Sequence, residues 1–280
     1  MNAPSSKTLH VHSANAVHRQ LPYIVRMEWG LDGARTVAHG ADLAVVVDVL
    51  SFGTCVSVAL DRGGEVFPYP WKDTGAEDFA ARHQARLAGP RDGGGLSLSP
   101  ATFRAADRLG RVVLPSPNGS ALCHALAREV PLVAAVCLRN AATTADWVAA
   151  NLPEDAVIAV VAAGERWPDG SLRPAVEDQI GAGAFIAGLA ASGKGGYEAA
   201  EGREGRHGYA PEAELAMAVF EAAEPDLREM LNGCSSGREL AGAGYGGDVD
   251  IAAELDDSDA VAILVDGAFR STAGPASPRP

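Results

Sequence analysis

The run VVVDVL at 45–50 sets one carboxylate, Asp48, among branched aliphatic residues. A run of this kind suits a strand covered on both faces of a sheet. A charge there is costly unless it is paired, hydrogen-bonded or bound to a metal ion. Further polar groups follow other apolar runs. PSPNGS (115–120) carries Asn118, Gly119 and Ser120, CLRN (137–140) carries Arg139 and Asn140, and VEDQ (176–179) carries Glu177 and Asp178. Carboxylates from two segments, with amides and helix N-termini beside them, make a site for a hard divalent cation and an oxyanion. Mg²⁺ suits such a site, because it needs few protein carboxylates and completes its octahedron with water and substrate oxygens.

Plainer roles compete. Asn118, Ser120 and Asn140 each precede or open a helical stretch, where a side chain can cap free backbone N–H groups. Glu177 and Asp178 would complement the positive end of a helix dipole. Asp48 fits these roles least well, since its own strand offers it no cap to make.

The elements that must position these groups recur as strand followed by helix. VVVDVL, RVVLPS (111–116), LVAAVCL (132–138) and AVIAVVAAG (156–164) each precede an alanine-rich helical stretch, and AVAILVDG (260–267) comes near the end. The pattern predicts an α/β fold, a three-layer α/β/α arrangement with a mostly parallel or mixed sheet. In open sheets of this kind ligands bind outside the carboxyl ends of the strands. Residues 1–20 read as a disordered leader, 21–270 as one domain with a lobe boundary near 150, and 271–280 as a disordered tail. The stretches 89–100 and 192–212 read as loops, the second long enough for a lid.

Two nucleotide-like motifs are set aside. GLAASGKG (188–195) has P-loop spacing, but Gly195 stands where Ser or Thr is needed, and its glycines end a helix rather than open one. GAGYGG (242–247) does not follow a buried strand.

Charge narrows the classes. A formal net charge of −13 over 280 residues argues against nucleic acid and against an anionic membrane surface. No apolar stretch is long enough to span a bilayer or to serve as a signal peptide. The expectation is a soluble cytoplasmic protein, with a homodimer as the base-rate assembly. Four widely spaced cysteines read as buried free thiols.

Taken together, VVVDVLSFGTCVSVAL, LPSPNGSALCHAL, CLRNAATTADWVA, VAAGE…VEDQIGAGAFIAGLA and GYGGDVDIAAELDDSDAVAILVDG resemble the 2-phosphosulfolactate phosphatase family over roughly residues 40–270. The resemblance implies a magnesium-dependent phosphatase acting on a small phosphorylated, sulfonated carboxylic acid, a step towards coenzyme M. It aligns Asp48, the Asn118–Gly119–Ser120 element, Asn140, the Glu177–Asp178 pair and Asp248 with family positions. Catalytic roles then fall to Asp48, Asn118 and Ser120, and substrate contacts to Gly119, Asn140, Arg91 and Arg139. Metal ligation falls to Asp48, Glu177 and Asp178. Asp48 stands equally as metal ligand or as nucleophile. Two departures stand out: Ser51 occupies a position where the family carries arginine, and Pro90 one where it carries glutamate. The alternative is therefore a catalytically impaired relative that binds an anion or regulates. A Mg²⁺-assisted lyase or transferase acting on an anionic acid is a third, weaker reading.

Overall fold

The computed structural model describes residues 17–70, 75–195 and 207–272. The first half of the chain gives β1 (Tyr23–Trp29), α1 (Gly30–Val37), β2 (Leu43–Val47), α2 (Phe52–Asp61), β3 (Glu65–Pro70), α3 (Ala76–Arg82) and β4 (Arg86–Leu87). It continues with α4 (Pro100–Ala105), β5 (Arg111–Ser116), α5 (Gly119–Leu126), β6 (Leu132–Val136) and α6 (Ala141–Asn151). The second half gives β7 (Ile158–Ala162), β8 (Glu165–Arg166), β9 (Leu172–Arg173), α7 (Val176–Ala191), β10 (His207–Tyr209) and α8 (Pro211–Ala223). Three short helices, α9 (Leu227–Gly233), α10 (Ser235–Gly242) and α11 (Gly246–Ala252), lead to β11 (Ala262–Val265) and β12 (Ala268–Ser271).

Ten strands form one sheet in the order β10-β1-β7-β2-β6-β11-β12-β3-β5-β4. The first five run parallel. The β11–β12 hairpin then inserts antiparallel to β6 and to β3, so β3, β5 and β4 form a second parallel block of reversed direction. The two blocks meet where β12 pairs β3 through a single registered residue pair, Phe269 with Val66.

The alternation of a strand explains the layers. In β2, all five residues are buried. Val45 and Val47 join a core with Ile180, Phe185 and Ala216 of α7 and α8, whereas Ala44 and Val46 join another with Val37, Cys55 and Leu126 of α1, α2 and α5. The fold is a three-layer α/β/α mixed sheet, as the strand–helix repetition indicates.

Helix α7 lies unusually close to β2. A Cβ on Gly181 would stand 2.6 Å from Val49 Cγ2 and 2.9 Å from Val47 Cγ1, so only glycine admits this approach. The close packing sets the first turn of α7, with Glu177 and Asp178, above the end of β2.

Two residues that read as leader and tail belong to the fold instead. Gln20 is buried, exchanging hydrogen bonds with the Met27 backbone, and Ser271 closes β12. The rest of both termini lies mostly outside the described residues, as do residues 196–206 of the connection read as a lid. The two set-aside glycine motifs fall at the C-terminal end of α7 and between α10 and α11. All four cysteines are free and buried. Among the described residues no helix is long and apolar enough to cross a membrane.

Candidate active site

Asp48 lies one residue beyond β2, and the fold supplies the caps that the strand could not. Its Oδ1 accepts the Phe52 N–H at 3.0 Å, and its Oδ2 accepts the Gly119 N–H at 2.9 Å. These donors open α2 and α5, so one buried carboxylate faces the positive ends of two helices. The backbone reaches it closely. A Cβ on Gly119 would stand 2.7 Å from Asp48 Oδ2 and 2.4 Å from Phe52 Cδ1.

The meeting of Asp48 and Gly119 does not come from strands running side by side. β5 runs opposite to β2 and lies five places along the sheet. At roughly 20–25° of twist per strand, the accumulated rotation is roughly 100–125°. Twist reorients β5 but leaves five strand spacings of about 4.8 Å between it and β2, so the sheet also curls for the Gly119 N–H to reach Asp48.

Asp178 braces the same corner. Its Oδ1 accepts the Val49 N–H at 2.7 Å, and its Oδ2 accepts the Gly164 N–H at 2.8 Å, which ties the ends of β2 and β7. Glu177 beside it is 2% exposed. Glu177 interacts with the Cys234 thiol at the start of α10. Sequence reasoning missed a fourth acid. Glu165, three residues beyond the end of β7 at Ala162, accepts the Asn118 Nδ2–H at 3.0 Å through Oε2. Its position just past a strand end was the available signal.

Burial and neighbouring charge shift three of these acids, Asp48, Glu165 and Asp178. Burial outweighs the two backbone N–H bonds and, with the charge of Glu177, pushes Asp48 up to about 6. Burial, then Asp48, pushes Glu165 up to about 7, against the opposing effects of Asn118 and Arg173. Burial, Asp48 and Glu177 drive Asp178 well above the usual carboxylate range. Asn118 and Glu165 open onto a cleft of about 380 Å³, walled by Trp29, Leu31 and Leu172 and flanked by Asp32 and Arg166.

Arg91 reaches the segment that follows Asp48. Its guanidinium pairs with the buried carboxylate of Asp248, and Nη2 donates to Ser51 Oγ at 3.1 Å. It stacks over Tyr245 at 4.8 Å from the ring centre. Asp248 is itself fixed by the Ser99 hydroxyl at 2.6 Å and the Ala101 N–H at 3.1 Å. An arginine from a distant loop thus reaches the Ser51 position. Beyond it opens a groove of about 620 Å³ that Arg86 and Arg108 also line.

Several residues expected at the site have other work. Ser120 Oγ donates to the Leu114 carbonyl at 2.8 Å in a fully buried setting, so it offers nothing to a phosphate. Asn140 closes its own turn, accepting the Cys137 N–H and donating to the Ala135 and Ala260 carbonyls. Arg139 faces Asp61 at the far end of α2, with Glu254 and Asp257, and bonds Ser57. It is the hub of a structural ion cluster rather than a substrate contact. The Gly119 N–H is already taken by Asp48.

A metal ion was expected on Asp48, Glu177 and Asp178. Among the described residues no three His, Cys, Asp or Glu side chains are grouped as a metal cage, and both oxygens of Asp178, like both of Asp48, already accept one backbone N–H each, which leaves each oxygen a second lone pair. What does fit is the donor chemistry at Asp48 and Glu177. These are buried oxygen donors in each other's field, suited to an ion that takes one or two carboxylates and keeps its waters.

The 2-phosphosulpholactate phosphatase family model matches residues 33–267, a span that takes in Asp48, Arg91, Asn118, Glu165, Glu177 and Asp248. The chain belongs to the 2-phosphosulpholactate phosphatase family, a family of hydrolases.

Proposed function

We propose that the protein hydrolyses a small, multiply anionic phosphate monoester of the 2-phosphosulfolactate kind, with Mg²⁺ as cofactor. The observation that carries this reading is the crowding of the buried acids Asp48, Glu177 and Asp178 around Glu165, which lines the cleft, with Asp48, Glu165 and Asp178 raised by burial and by neighbouring charge. Such an excess of buried negative charge suits a cation-assisted reaction on an anion. Asp48 and Glu177 would hold the ion, which when bound would offset charge on the phosphoryl oxygens.

The chain's own groups have separate tasks. Asp178 fixes the β2 and β7 ends on which Asp48 stands. Asn118, held by Glu165, faces the phosphoryl end of the cleft. Arg91, oriented by Asp248 and Tyr245, offers a planar, permanent charge to a second anionic group. The reading of an impaired, purely anion-binding relative arose from Ser51, which lacks a charge. The guanidinium of Arg91 at Ser51 Oγ supports the catalytic reading over that one.

The test is release of inorganic phosphate from a panel of small phosphoesters, with and without Mg²⁺. Turnover is expected only with the metal, and best on esters that carry a carboxylate and a further anion. Absence of phosphate release from every ester at every Mg²⁺ concentration would refute the proposal.

A further inference from the structure

The hydrolysis of an alkyl phosphate leaves an alkoxide unless a proton reaches the ester oxygen as the P–O bond breaks. We propose that Glu165 is the catalytic acid that delivers this proton, an inference that rests on the phosphatase reading and adds a residue to it. The side chain lines the cleft, and its orientation is fixed from one side only. Oε2 is anchored by Asn118, and Oε1 has no hydrogen-bond partner among the described residues. The anchoring amide belongs to the turn that also sends the Gly119 N–H to Asp48, so the acid and the buried carboxylate are held by one short segment.

The surroundings raise the share of Glu165 that holds its proton at neutral pH. Trp29, Leu31 and Leu172 wall the cleft. Asp48 and Glu177 act on Glu165 from the ends of β2 and the start of α7, Arg173 acts from β9, and Asp32 and Arg166 flank the same cavity. Desolvation and the two acids outweigh Arg173, which leaves Glu165 near 7. Two carboxylates of one site are thereby given different tasks by their settings, a general acid and a fixed anion.

A water oxygen forms its bond to phosphorus while the bond from phosphorus to the ester oxygen breaks. The electron pair of that bond stays on the ester oxygen, which takes the Glu165 proton and leaves as the alcohol. The proton shed by the attacking water returns to Glu165 through the solvent of the cleft.

Leaving-group dependence separates this role from a structural one. Glu165→Gln keeps an oxygen for Asn118 but has no proton to give. In the Mg²⁺-supplied full-length protein, kcat on glycerol 2-phosphate should fall about 100-fold or more. On p-nitrophenyl phosphate, whose leaving group needs no proton, it should fall by no more than a few-fold. The alkaline limb near pH 7 should vanish from the variant's profile, and Glu165→Asp should restore part of both. Equal losses on the two esters, or an unchanged alkaline limb, would overturn the assignment while leaving the phosphatase reading intact. Wild-type protein inert towards these two esters and towards every other ester of the panel would overturn the reading and the assignment together.

Discussion

Replacing Asp48 by asparagine should abolish turnover and, at the same time, flatten the dependence of stability on pH. The folded protein holds Asp48 at about 6 against an ordinary value of 3.8. Between those values the unfolded chain is ionised and the folded chain is protonated, so stability falls as pH rises. The difference of about two units corresponds to about 3 kcal/mol, fully present below the unfolded value and lost once pH passes the folded one. Asp48→Asn removes that slope. It also relieves Asp178 and Glu165 of a repulsive neighbour, which widens the gap. Against this, the amide can accept only one of the two backbone N–H bonds, a pH-independent cost of about 1–3 kcal/mol. Urea unfolding of both proteins at several pH values between about 4.5 and 8, with equal m-values, reads the quantity directly. The stability difference should shift in the variant's favour by about 2–3 kcal/mol towards high pH. Parallel pH profiles for the two proteins would refute the claim that a buried, repelled carboxylate sits at the end of β2.

Two further substitutions probe the same geometry. Gly119→Ala forces a Cβ against Phe52, which is fully buried and in edge contact with Phe269, so about 1–3 kcal/mol of stability should be lost with most of the activity. A variant as stable and active as wild type would place this turn elsewhere. Arg139→Ala should destabilise by about 1–3 kcal/mol, because Asp61 loses its cation and Glu254 keeps only Arg104, while KM stays unchanged. A raised KM with unaltered urea midpoint would return Arg139 to the substrate.

What was legible in the sequence was mostly local. The unbroken apolar run Leu43–Val47 and the spacing over Val176–Ala191 give the central strand and the helix laid on it, and with them the layered class. The carboxylates drew attention because strand ends are visible in one dimension. Their partners were not. Arg139 looked like a strand-end anion contact because Asp61, Glu254 and Asp257 come from 78, 115 and 118 residues away. Asp48 looked uncapped because its two caps come from helices, one of which starts 71 residues later. Ser51 looked like a lost charge because the Arg91 that bonds it lies 40 residues on and is itself held by Asp248, 157 residues beyond that. The reversal of β5 was hidden for a similar reason. It depends on a hairpin at the far end of the chain that inserts into the middle of the sheet.

That hairpin has a consequence for how the cleft behaves as a unit. Asp48 belongs to the five-strand block and Asn118–Gly119 to the three-strand block, and the strands of the two blocks are joined through one registered pair at β12 and β3. The carboxylate–amide bond between Asp48 and Gly119 is therefore a clasp across a seam, with the Phe52–Phe269 ring contact beside it. A small molecule that engages both sides at once fastens the clasp, and a fastened clasp presents both sides to the molecule. Occupancy of the cleft and closure of the seam favour each other by the same factor.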